Sequence, residues 1–140
     1  MKLHLDRFEG QNAFTGYGED YVAINGRAWQ TSVVVFPDRP VEPWPVTDPA
    51  GIDAEALAFL APLPLEIVLI GTGGRHHLIH PRVWAPLAAA RIGVEVMDTR
   101  AACRTYNILL AEGRKVAATL ILGVGPPHPR GRTKVKLCLY

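Results

Sequence analysis

From residue 65 to residue 122 the chain alternates short apolar runs with segments of helix length, and this alternation restricts the fold more than any other feature. LEIVLI (65–70) is an apolar run of strand length. Residues 81–91 open on Pro81, which is tolerated in a first helical turn where its missing amide has no intrahelical partner, and Gly93 stops the segment. VEVMD (94–98) reads as a second strand, 99–112 as a helix ended by Gly113, and KVAATLIL (115–122) as a third strand. Strands joined through helices need crossover connections, which make the strands parallel. The predicted class is α/β, in three layers, with a mixed and mainly parallel central sheet.

The part in front of this unit has a different period. Residues 14–36 read as β structure: YVAIN (21–25), a break at Gly26, then RAWQTSVVVF (27–36) with its β-branched run. Asn25-Gly26 is a hairpin signal, because both residues tolerate the positive φ of a type I′ turn. The expectation is an N-terminal antiparallel β element. Pro37, Pro40, Pro43, Pro45 and Pro49 then break the chain. Without an amide to donate, this stretch is neither a central strand nor a helix interior. Asp53 caps a short helix, AEALAFLA, which Pro62 and Pro64 end.

The 140 residues suffice for one domain with one core, expected over 1–123, followed by a basic Pro/Gly-rich tail over 124–140 that reads as flexible. Within that tail KVKLCLY has the composition of an edge strand, which stays open as an alternative. No window reaches the roughly 18 uninterrupted apolar residues of a membrane span. The start, MKLHLDRFEG, lacks the apolar centre of a signal peptide, so the expected location is cytoplasmic. Cys103 and Cys138 are too few for a disulfide framework and are expected reduced. The net charge of +2 conceals an asymmetry: Arg130, Arg132, Lys134 and Lys136 follow Gly123, beyond all 13 acidic residues. The remainder is slightly acidic, which argues against a nucleic-acid partner.

The turn after the first strand of the alternating unit, Gly71, Thr72, Gly73 and Gly74, raises the question of a phosphate site. A dinucleotide fingerprint needs a third glycine for close helix packing, and His76 stands there instead. The next helix, near Pro81, starts too late to aim its N-terminus at a phosphate. The bland reading is a turn that needs glycine backbone angles. Asp98 beside Thr99 suits either a ligand hydroxyl or a helix cap, and the cap is favoured. His76, His77 and His80 have no acid or cysteine nearby to complete a metal shell, so no metal and no cofactor is expected. Cys103 lies one turn into a helix, but shares a face with Tyr106, Asn107 and Leu110 and reads as a small core residue.

"IGTGGR" followed by "GVEVMDTRAACRTYNILLAEGRKVAATLI" resembles a small α/β family, Mth938-like and of unknown function, that includes a mitochondrial NADH dehydrogenase (complex I) assembly factor. The resemblance spans about residues 4–122. It rests on Gly71, Thr72, Gly73, Asp98, Thr99, Ala102, Cys103, Thr105, Tyr106, Asn107, Glu112, Gly113 and Arg114. It implies a single three-layer domain and assigns no catalytic residue.

Two functional expectations follow. The first is a non-enzymatic accessory protein that acts through protein contacts, possessing no membrane span of its own but touching a respiratory membrane complex peripherally. Trp29, Trp44 and Trp84 are its candidate anchors. The second is a small-molecule or anion-binding protein or enzyme, with a site at the carboxyl ends of the parallel strands. There Gly71, Thr72, Gly73 and Arg75 meet Asp98 and Thr99, and Cys103 and Tyr106 line the floor.

Overall fold

The computed structural model describes residues 10–122. Its centre is a five-stranded sheet in the order β5 (Glu42–Pro43), β4 (Val33–Val35), β8 (Val116–Leu120), β6 (Ile67–Gly71) and β7 (Gly93–Met97). The alternating unit supplies its parallel part. β6 (Ile67–Gly71) runs parallel to β7 (Gly93–Met97) and to β8 (Val116–Leu120), each over five residue pairs. α2 (Ala85–Ala89), entered through a 3-10 turn at Pro81–Trp84, connects β6 to β7. α3 (Thr99–Ala111) carries the chain from β7 back over β6 to β8.

Period-2 alternation distributes the strand side chains to two cores. Leu69, Val116, Ala118 and Leu120 face one cluster with Ala102, Cys103, Tyr106 and Leu110 of α3. Val68, Ile70, Ala117 and Ile121 face the other, with Leu57, Leu60 and Leu87. Leu57 belongs to α1 (Ala54–Leu57), which Asp53 caps by accepting the Ala56 amide at 2.8 Å. Each fully buried Leu or Ile contributes about 1.5–3 kcal/mol.

The N-terminal element is a separate antiparallel sheet of β1 (Phe14–Tyr17), β2 (Val22–Ile24) and β3 (Arg27–Trp29), laid on the α3 face. Its hairpin turns at Asn25 and Gly26, with φ of 51° and 85°, as a type I′ turn requires. Together the two sheets and the helices form the expected three layers.

Two expectations need correction. RAWQTSVVVF is not one strand. β3 ends at Trp29, and β4 (Val33–Val35) leaves for the central sheet, where it pairs antiparallel with β8. Ser32 makes the transfer: its carbonyl accepts the Trp44 amide at 2.8 Å and its hydroxyl accepts the Leu122 amide at 3.3 Å. The central sheet therefore has two parallel ladders and two shorter antiparallel ones, the outer ending at β5 (Glu42–Pro43) on an edge that suits proline.

The second correction concerns the end of α2. Its left-handed residue is Arg91, with φ 65°, and not Gly93, which already belongs to β7. The Ile92 amide reaches back to the Leu87 carbonyl at 2.9 Å, and Leu87 and Ile92 share a core cluster, completing a Schellman ending without glycine. The expectations for 124–140, including KVKLCLY and the state of Cys138, lie outside the described residues.

Candidate functional site

The chain leaves β6 toward α2 on one face of the sheet and leaves β7 toward α3 on the other. Adjacent parallel strands whose exits diverge in this way create the crevice where open α/β sheets bind ligands. The turn after β6 and the Asp98-Thr99 pair after β7 flank it, so the topology brings together the residues that sequence reasoning had grouped.

In this chain the crevice is bridged. The Thr72 amide continues the ladder to the Met97 carbonyl at 2.9 Å. The Gly73 amide donates to Thr99 Oγ1 and the Thr99 amide donates to the Gly73 carbonyl, both at 2.9 Å. Thr99 Oγ1 in turn donates to the Ile121 carbonyl at 2.8 Å, and the Ile121 amide reaches the Gly71 carbonyl at 3.0 Å. One hydroxyl thereby ties the exits of all three parallel strands together. The Thr72 hydroxyl closes the turn itself, donating to the Arg75 carbonyl at 2.6 Å and accepting the His77 amide at 3.2 Å.

The glycines have separate reasons. Gly73 has φ 98°, which side chains rarely adopt. At Gly71 a Cβ would lie 2.8 Å from Leu120 Cδ2, 2.9 Å from Thr99 Oγ1 and 3.1 Å from Thr99 Cα. The close packing sought at the His76 position is therefore supplied by Gly71, and the helix it admits is α3 rather than α2. Asp98 is a cap: its Oδ1 accepts the Ala101 amide at 2.8 Å.

Cys103 and Tyr106 do not line this crevice. Both are fully buried in the core cluster between sheet and α3. Burial pushes the Cys103 thiol far above its ordinary range, with Arg104 opposing and Asp98 adding to the effect. Burial likewise pushes the Tyr106 phenol up, helped by Asp38. Its hydroxyl donates to the Asn12 carbonyl at 2.9 Å and its ring meets Phe14 edge-on at 5.1 Å. Arg75 is exposed, as are His76, His77 and His80. Among the described residues no three His, Cys, Asp or Glu side chains gather as metal ligands do. Of the three tryptophans, Trp44 is buried, with Nε1 donating to the Ala56 carbonyl at 3.4 Å, while Trp29 and Trp84 are half-buried against the two cores.

Asn107 is the residue whose role sequence reasoning missed. From α3 its side chain accepts the Phe14 amide at 3.0 Å and donates to the Phe14 carbonyl at 2.8 Å. It stands in for a neighbouring strand and fastens the small sheet to the main body. The only hint was a polar residue on an apolar helical face.

The family model for proteins of unknown function DUF498/DUF598 matches residues 14–121. The chain belongs to this family. A crystal structure from Bordetella parapertussis superposes with a TM-score of 0.78 at 44% identity, over 81% of this chain and 98% of the other. A Bordetella pertussis protein described as a Mth938-like domain gives 0.71 at 38% identity, over 89% and 94%. NADH dehydrogenase (ubiquinone) 1 alpha subcomplex assembly factor 3 of Danio rerio is 36% identical over 110 residues, 77% of this chain and 60% of that protein. The chain thus spans about three-fifths of that relative's length. The fold is the α/β fold of these family members. Among the described residues no helix is long and apolar enough to cross a membrane.

Proposed function

We propose that this chain is a non-enzymatic accessory protein that acts through protein contacts in the assembly of a respiratory membrane complex. In this reading it is cytoplasmic and touches the complex peripherally. The observation that carries it is the likeness to assembly factor 3, which runs through most of the chain. The geometry supports it. Where a related architecture would hold a ligand, the Gly73 amide and the Thr99 hydroxyl are engaged with each other, and Cys103 is sealed in the core.

The test is removal of the gene from its source organism, followed by native electrophoresis of the membrane complexes. Accumulation of partial NADH dehydrogenase assemblies, reversed by the intact gene, is expected. A normal complement of complexes refutes the reading.

A rival reading, in which the 71–75 turn holds an anion with Asp98 taking a hydroxyl, is favoured by the exposed Arg75 at a divergent strand exit. It requires a saturable rise of melting temperature with phosphate or a nucleotide that Arg75→Ala abolishes. The first reading expects no such rise.

A further inference from the structure

We infer that the carboxyl edge of the central sheet is a surface for anionic lipid headgroups, with Leu78 entering the headgroup layer. Between Glu66 and Glu95 every charged or titratable side chain is an arginine or a histidine. Arg75, His76, His77, His80 and Arg82 are all exposed and lie on the segment that leaves β6 at this edge. Exposed Arg100 follows Thr99, which is hydrogen-bonded to the same turn. Asp98, the acid here, is engaged with the Ala101 amide. Because residues 1–123 are otherwise net acidic, this edge is a local reversal of charge that orients the molecule in the field of an anionic surface.

Leu78 lies between Arg75 and Arg82 on this segment with 91% of its surface exposed. The exposure belongs to the fold, because the segment is held on both sides of it. His77 donates its amide to Thr72 Oγ1, Ile79 packs on the core, and His80 Nδ1 accepts the Arg82 amide at 3.1 Å. An apolar side chain displayed on a loop between exposed arginines, none of which forms an ion pair among the described residues, suits a bilayer interface. There the phosphates can accept any lateral arrangement of charge, and the layer beneath accepts an apolar tip.

The experiment sediments the full chain with vesicles of phosphatidylcholine alone or with about one-third phosphatidylglycerol, at low and physiological salt. Binding is expected to the anionic vesicles only, and weaker at higher salt. Arg75→Gln and Arg82→Gln should each weaken it about fivefold, the contribution of one basic residue near such a surface. Leu78→Ser should weaken it about tenfold. Arg91→Gln is the control: it lies at the other end of β6, a strand about 16 Å long and beyond the roughly 8 Å reach of charge at physiological salt. All four positions are exposed. Failure to bind anionic vesicles, equal binding to neutral ones, or an equal loss with Arg91→Gln overturns the inference. So does retention on polyglutamate without vesicle binding, which would assign the surface to an acidic protein.

Discussion

Asn107→Ala tests how the two sheets are held together. Asn107 is 7% exposed and Phe14 is fully buried, so truncation strands one buried amide and one buried carbonyl that the side chain satisfies at 3.0 and 2.8 Å. Each orphaned group costs about 1–3 kcal/mol, and with relaxation the sum is about 3 kcal/mol. For a chain of this size that lowers the melting temperature by about 10 °C. Denaturant unfolding at neutral pH measures it, and exchange of the Phe14 amide should accelerate beyond the global change, because β1 loses its tie to α3. Asn107→Asp adds a signed control. The introduced carboxyl can accept from the Phe14 amide, but only its protonated form can donate to the Phe14 carbonyl. Burial and that bond raise its folded pKa, so the variant's stability is greatest at acid pH and is lost as pH rises through that pKa. A cost below about 0.5 kcal/mol for Asn107→Ala, or an Asn107→Asp variant that loses stability on acidification faster than the parent, refutes the argument.

Gly71→Ala should destabilise by about 2–4 kcal/mol, because the added methyl meets Leu120 and the backbone of Thr99. Gly73→Ala, with Ile121 Cγ2 its nearest neighbour at 3.8 Å and only the φ of 98° against it, should cost about 1–2 kcal/mol. The reverse order in denaturant titrations would show that backbone angle outweighs close approach. Arg91→Gly should stabilise by about 0.5–1 kcal/mol, since Arg91 holds φ 65° at a helix ending that glycine adopts without strain; a loss of stability sinks this. Cys103 and Tyr106 both have raised folded pKa values, so the unfolded chain releases their protons first and stability declines as pH climbs past the ordinary thiol range. The slope approaches about 1.4 kcal/mol per pH unit for each group, and Cys103→Ala should flatten its onset near pH ~8.5. An unchanged onset would locate the alkaline sensitivity elsewhere.

What could be read from the sequence were the features set by neighbours along the chain. The Asn25-Gly26 turn, the Asp53 and Asp98 caps, and the alternation of strand and helix from residue 65 follow from backbone sterics and hydrogen bonds spanning a few residues. The turn and both caps fall where expected, and the elements keep their expected order, with β6 at Ile67–Gly71, β8 at Val116–Leu120, and the 81–91 helix reduced to a 3-10 turn and the five residues of α2. The grouping of the 71–75 turn with Asp98 and Thr99 was legible too, because parallel strands must present their carboxyl ends together. Local pattern could not decide which strands pair. Val33, Val34 and Val35 look like a continuation of the hairpin, yet they join β8 more than 80 residues later, where burial on both faces rewards an all-valine strand. The same limit hid the reason for Gly71, whose crowding comes from Thr99 and Leu120, and the purpose of Asn107, whose partner is 93 residues away. It also made Cys103 and Tyr106 look available to a site that the fold turns them away from. Short-range sterics choose the elements, but close approach and polar satisfaction are properties of surfaces that meet only when the chain has folded.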